Sequence, residues 1–288
     1  MARIRVGTAG WVFEPWRDNF YPPGLKQKDE LAYASRHLTA IEINGTFYSN
    51  QKPASFLAWA GQAPEDFVFS VKGHQRVTHI LRLKAAETAV ANFLASGVLA
   101  LGRRLGPIIW QLPPNMKYDA ERLESFLSIL PQDADAAAAM AREHDDQLKS
   151  PPHTQVDGIE RIRHAIEVRH ESFRTPELVA LLRRYNVALV TADTAEWPWQ
   201  DLTADFTYLR LQGPPGGSAY SPAERDAWAD RLQAVAEGGT PDAAHLIAPE
   251  TPKAVARDVY AFFVSTDKEN APHNAMAVQA RLGIATAA

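Results

Sequence analysis

Seven side chains in this sequence could hold an anion or move a proton: Glu42, Lys72, Gln111, Glu167, Arg169, Asp193 and Arg210. Each stands at or just beyond the end of a short β-rich run. Side chains alternate along a strand, so residues two apart share a face. Glu42 therefore falls with Asn44, while Ile41 and Ile43 point the other way. Glu167 falls with Arg169, Arg210 with Gln212, and Ser70 with Lys72; Asp267 follows the last run. Lys72, Arg169 and Arg210 suit an anion clamp. Glu42, Glu167 or Asp193 suit proton transfer, since neighbouring carboxylates drive one pKa towards neutrality. The same groups could instead close a lattice on themselves, Glu167 or Glu42 against Arg169 or Arg210.

Aromatic residues cluster at the same run ends. Trp11, Trp16, Phe47, Tyr48, Trp110, Trp197 and Trp199 lie in or beside the segments that follow the runs. Flat rings around a polar floor suit stacking on a ligand, and Trp11 and Tyr48 are placed with the binding residues Asn44, Lys72, Gln111, Arg169 and Arg210. Each ring taken singly is equally explained by packing. Gln212–Ser218 is a glycine- and proline-rich loop that could admit a phosphate, although a turn is the commoner use of such residues. Walker, HExxH, nucleophile-elbow and kinase signatures are absent, and no metal site or cofactor is named.

The elements that must position these groups are legible from periodicity. Strands are expected near Ile4–Thr8, Ala40–Asn44, Phe67–Lys72, Pro107–Leu112, His164–Arg169, Val187–Ala192, Phe206–Leu211 and Asp258–Val264. Helical patterns fill the gaps: Asp29–His37, Pro53–Gly61, Lys84–Arg103, Asp119–Leu130, Pro176–Arg184, Pro222–Glu237 and Pro272–Leu282. The short, Trp-rich link from the sixth strand to the seventh leaves no room for a full helix. Thr175-Pro176 and Ser221-Pro222 are helix starts, and Ser221 with Glu224 completes a capping box. Eight strands alternating with helices over 288 residues predict a single (β/α)₈ TIM-barrel domain, residues 1–288. In that fold the strand-to-helix end carries the chemistry.

Pro131–Arg161 breaks the rhythm with an Ala-, Asp- and Arg-rich helix expected at Asp133–Lys149. It precedes the fifth strand, so it is read as a bottom-face surface insertion remote from the site, and Gly238–Pro252 as a smaller one. His144-Asp145-Asp146 with His153 reads as a solvated face rather than a metal site. The chain has no cysteine, which removes disulfides and thiolate chemistry. A net charge of −4 argues against nucleic acid as a general partner, though it leaves room for a local basic patch. No targeting or membrane-length segment stands out, so a cytoplasmic location is expected.

Several blocks in fixed order resemble the YecE-like family, domain of unknown function 72. They are Gly7-Thr8-Ala9-Gly10-Trp11, Phe20-Tyr21-Pro22, Ile41 to Tyr48, Lys72 with Thr78-His79, and Leu105-Gly106-Pro107. Gln111-Leu112-Pro113-Pro114, Glu167 to Phe173, Asp193 and Tyr208-Leu209-Arg210-Leu211 continue the likeness. The resemblance implies a TIM barrel of bacterial or archaeal cytosol with no established activity, grouped loosely with sugar isomerases. Two positions depart from the pattern. Gln212-Gly213 stands where relatives commonly carry His-Gly, and Ser265-Thr266-Asp267 where many carry Asn-Asn-Asp.

Three functions fit these residues. The first is an acid–base enzyme of isomerase or lyase type on a small, anionic, hydroxylated substrate. The second is a metal-dependent phosphodiesterase, with nucleic acid as one candidate substrate, which needs His and carboxylate ligands where only His74, His79 and His170 lie near the strand ends. The third is a non-catalytic protein that binds a small ligand.

Overall fold

The eight apolar runs become parallel strands β1 (Ile4–Ala9), β2 (Ala40–Ile43), β3 (Val68–Lys72), β4 (Leu105–Gln111), β5 (His164–Glu167), β6 (Ala188–Ala192), β7 (Phe206–Leu211) and β8 (Asp258–Phe263). In the computed structural model they follow one another in chain order around a closed barrel. The fold is a (β/α)₈ TIM barrel. The helices are α1 (Glu30–His37), α2 (Gly45–Tyr48), α3 (Pro53–Gln62), α4 (Glu87–Ala95) and α5 (Ala120–Ile129). After them come α6 (Ala134–Arg142), α7 (Pro176–Arg184), α8 (Pro222–Ala236) and α9 (Ala271–Arg281). The structure describes residues 2–194, 197–213, 219–241, 243–248, 250, 252–264 and 268–286. Asp267, Ser265-Thr266 and Pro214–Ser218 of the glycine-rich loop lie outside the described residues.

Local chemistry sets the element ends. The Thr175 hydroxyl accepts from the Leu178 amide at the start of α7, and Ser221 and Glu224 form the reciprocal capping box of α8. The expected helix Lys84–Arg103 is instead interrupted. Gly97 adopts φ 125° after α4 and packs its α-carbon onto Pro53 and Phe56, and a 3₁₀ stretch, Val98–Arg104, carries the chain into β4. Among the described residues no helix links β6 to β7, as the short Trp-rich link predicts.

Two units hold these elements, residues 1–42 with 174–288 and residues 43–173. In the first, β6, β7, β8, β1 and β2 pair in that order. Gly7 lies opposite Ala40, and a Cβ there would stand 1.7 Å from the Ala40 carbonyl oxygen, so only glycine permits this pairing. In the second, β3, β4 and β5 pair around Trp110. Trp110 was expected among the ligand-facing aromatics. It is instead fully buried core, edge-on to Phe126 at 5.4 Å and donating Nε1–H to His164 Nδ1 at 3.1 Å. Alternation explains this: Gln111 takes one face of β4, so Trp110 must take the other.

The insertion departs most from expectation. Its feet do meet before β5, where the Ile162 amide donates to the Gln132 carbonyl at 2.9 Å and Asp133 bridges to Arg161. The helix is shorter than predicted, ending at Arg142, and it is not a solvated spur. Ala137, Ala138 and Ala141 are buried. The chain climbs beside α4 and returns, the His153 amide donating to the Ala95 carbonyl at 2.8 Å. At the tip, Asn92 of α4 and Asp145 exchange hydrogen bonds of 2.7 and 3.0 Å. Gln147, Leu148, Lys149 and Ser150 thereby reach Tyr48, His74 and Arg76, which follow β2 and β3. The segment is not remote from the strand-to-helix end: small alanines let it lie flat along α4 and cross the full height of that helix.

Candidate functional site

In the unit of residues 43–173, three successive strands end on polar side chains that bond in series. The Lys72 ammonium, at the end of β3, donates to Gln111 Oε1 at 2.9 Å. Gln111, at the end of β4, passes its Nε2–H groups to both oxygens of Glu167 at 2.9 Å. Parallel register places Gln111 directly beside Glu167, which makes this contact possible. Arg169 then clamps Glu167 Oε1 through Nε at 2.9 Å and Nη2 at 2.8 Å. Lys72, Gln111 and Glu167 are buried, whereas the Arg169 side chain keeps 39% of its surface exposed. The chain therefore ends in a cation held rigidly at one edge and open at the other.

The loops after β2 and β3 close around Lys72. Phe47 lies under the ammonium, 4.3 Å from ring centroid to Nζ, a cation–π contact. The Thr46 hydroxyl donates to the Lys72 carbonyl at 2.7 Å. His79 meets the Phe47 ring edge-on at 5.0 Å, and its Nδ1 lies 2.9 Å from the Thr78 hydroxyl. Burial lowers the His79 pKa from its ordinary 6.5, and the charges of Lys72, Arg169 and Arg82 lower it further. It is a neutral imidazole in cationic surroundings. Asn44, just beyond β2, has a buried Oδ1 that accepts no hydrogen bond among the described residues.

In the other unit, Glu42 is fully enclosed by β7. Arg210 donates Nη2–H to Oε1 at 3.0 Å and Nε–H to Oε2 at 3.1 Å, and the Tyr208 hydroxyl donates to Oε2 at 2.7 Å. Asp193 follows β6 and accepts the Gln212 amide at 2.5 Å and the Tyr220 hydroxyl. Burial raises its pKa above the ordinary 3.8 despite those donors. Of the aromatic residues here, Trp16 and Trp197 are buried, and Trp16 donates to the Lys268 carbonyl at 2.7 Å. The Trp11 carbonyl accepts from the Tyr21 hydroxyl, while Trp199 stacks under Arg174 at 3.5 Å.

The pairings left open by spacing are thus Glu167 with Arg169 and Glu42 with Arg210. Tyr208 could have been found from sequence, since alternation puts it on the Arg210 face. Phe47 and His79 lie in helical turns of four or five residues, too short to read a period from, and the partnership of Tyr220 with Asp193 has no sequence signal. Among the described residues, no three His, Asp or Glu side chains gather as metal ligands. No described helix is long and apolar enough to cross a membrane.

The family described as "Protein of unknown function DUF72" matches residues 5–288. This chain is a DUF72 protein. Over 129 residues it is 30% identical to UPF0759 protein YecE of Escherichia coli (strain K12), covering 44% of this chain and 44% of that protein. Over 122 residues it is 27% identical to UPF0759 protein YunF of Bacillus subtilis (strain 168), covering 38% of this chain and 40% of that protein. The matched segments span well under half the length of these relatives. A crystal structure of a DUF72 family protein from Thermotoga maritima MSB8 superposes with TM-score 0.67 at 22% identity, covering 98% of this chain and 99% of that one. Another, from Enterococcus faecalis V583, gives TM-score 0.64 at 15% identity with 98% of each chain covered. The fold of this DUF72 protein is therefore the family's fold.

Proposed function

We propose that this protein is an acid–base enzyme, of isomerase or lyase type, acting on a small anionic hydroxylated molecule. The observation that carries the reading is the series Lys72–Gln111–Glu167–Arg169. Glu167 accepts from both Gln111 and Arg169, and so serves as the counter-ion that aims Arg169. The exposed edge of Arg169 is then preorganised for a carboxylate or phosphate. Asn44 Oδ1, a buried acceptor lacking a donor among the described residues, suits a substrate hydroxyl.

His79 is the proton carrier in this reading. Its pKa is held down by burial first and by Lys72 and Arg169 next, so an arriving anion that offsets those charges raises it towards neutrality. Glu42, saturated by Arg210 and Tyr208, holds the barrel rather than moving protons. Asp193, with its raised pKa, stays a proton carrier candidate of the other unit.

The test is a thermal-shift and calorimetric screen of hydroxy acids and sugar acids, whose carboxylate reports on Arg169. A ligand at a hundred times its dissociation constant should add about 2.7 kcal/mol of stability. Arg169→Ala should abolish the shift, and Asn44→Leu should weaken it for hydroxylated ligands only. A shift indifferent to Arg169→Ala defeats the reading, as does the absence of any shift. The His79 Cε1–H resonance should titrate at higher pH when ligand is present.

A further inference from the structure

We propose that the insertion tip closes a second binding pocket, for a small phosphomonoester carrying a flat ring, and that this pocket is independent of the Lys72–Arg169 series. It is a cavity of about 390 Å³, within the usual range for one small molecule. Its walls come from four places: the segment after β2, the segment after β3, Ala89 and Asn92 of α4, and the tip residues Gln147–Ser150. Three of its lining residues are cations, Lys52, Arg76 and Lys149, and among the described residues no carboxylate lines it.

That charge pattern distinguishes the cavity from an ordinary surface cleft. Three like charges around one small space repel one another unless an anion sits among them. Asp145, close enough to feel the charge of Arg76, does not line the cavity and spends its oxygens on the tip. Its Oδ1 accepts from Asn92 at 2.7 Å and from the Gln147 amide at 3.0 Å, and its Oδ2 accepts from Gln147 Nε2 at 3.0 Å. Those bonds fix the tip, where Lys149 lines the cavity and its ammonium donates to the Asp146 carbonyl at 3.4 Å. Burial first, and then the charge of Arg76, lower the His74 pKa. At the rim, Tyr48 stands 71% exposed although its neighbour Phe47 is buried. An exposed ring beside cations recognises a planar group attached to a phosphoryl group.

Calorimetry on the full chain tests this with inorganic phosphate, ribose 5-phosphate and adenosine monophosphate as probes. Saturable binding of both organic phosphates is expected, with adenosine monophosphate the tighter. Arg76→Gln with Lys149→Gln should weaken both by about a hundredfold, tenfold for each lost charge-assisted contact. Tyr48→Ala should weaken adenosine monophosphate about tenfold and leave ribose 5-phosphate unchanged. Both variants change exposed side chains, and unchanged melting temperatures will show that they fold. Arg169→Ala should have no effect on these probes. Loss of binding in Arg169→Ala would move the probes to the other cluster and overturn the proposal. Binding indifferent to the double variant, or none up to millimolar probe, would overturn it as well.

Discussion

Glu42 and Arg210 stand 168 residues apart in the chain and meet through two hydrogen bonds, of 3.0 and 3.1 Å. Both are buried, and Tyr208 adds a third bond on the same carboxylate. Removing one member of such a pair deprives a buried charge of its partner. Glu42→Gln should therefore lower stability by about 3–5 kcal/mol, read from urea denaturation at constant slope. Tyr208→Phe, which loses a single bond, should cost about 1–2 kcal/mol. Equal losses would show that the Glu42–Arg210 pair contributes no more than a single hydrogen bond.

His164 supplies a pH dependence. Its ring is fully buried, with Nδ1 accepting from Trp110 and Nε2–H donating to the Pro131 carbonyl at 2.8 Å. Burial pushes its pKa down from 6.5 to about 4. Between those values the unfolded chain binds a proton that the folded chain refuses, so stability falls as pH drops from 6.5 towards 4. The loss should reach about 3 kcal/mol at the lower end. The difference in melting temperature between the wild type and His164→Gln should narrow across this window; a constant difference would mean that His164 does not titrate there.

Asp193 acts in the opposite sense. Its folded pKa lies above 3.8, so in the window just above that value the folded chain keeps a proton that the unfolded chain has released. Stability should fall as pH rises through the raised pKa, then level off. Asp193→Asn keeps an acceptor for Gln212 and removes the charge. It should gain on the wild type with rising pH, in paired chemical denaturations; a gap independent of pH counts against a raised pKa.

The tip of the insertion hangs on Asn92. Asn92→Ala removes both bonds to Asp145 and should free the tip without unfolding α4. Trypsin should then cut faster after Lys149 and Arg142, while hydrogen exchange in α4 remains slow. Cleavage at the wild-type rate would mean that the buried alanines of α6, rather than this pair, hold the tip.

Much of the candidate site could be read along the chain. Lys72, Gln111 and Glu167 are each last in a strand, and a period of two decides which neighbours share their face. What periodicity cannot supply is choice of partner. Glu167 could face Arg169 or Arg210 on spacing alone, and only the register of Gln111 beside Glu167, with Arg169 folding back, settles it. Phe47 and His79 were legible as residues near the strand ends, but their packing around Lys72 was not, because helical turns of four or five residues carry no period that fixes a facing.

The sequence by itself determined the barrel. Eight runs with strand periodicity and helix starts at Thr175 and Ser221 are local facts, and each acts within a few residues of backbone. The insertion shows the opposite case. Its feet were predictable from where it interrupts the alternation. Its course was not, because a run of alanines fits a solvated helix and a packed one equally well. Only the surface of α4, with Asn92 waiting for Asp145, decided that the segment lies along that helix and carries Lys149 to the strand ends. Contacts between residues 53 apart depend on shape complementarity between two finished elements, and no window of sequence contains both.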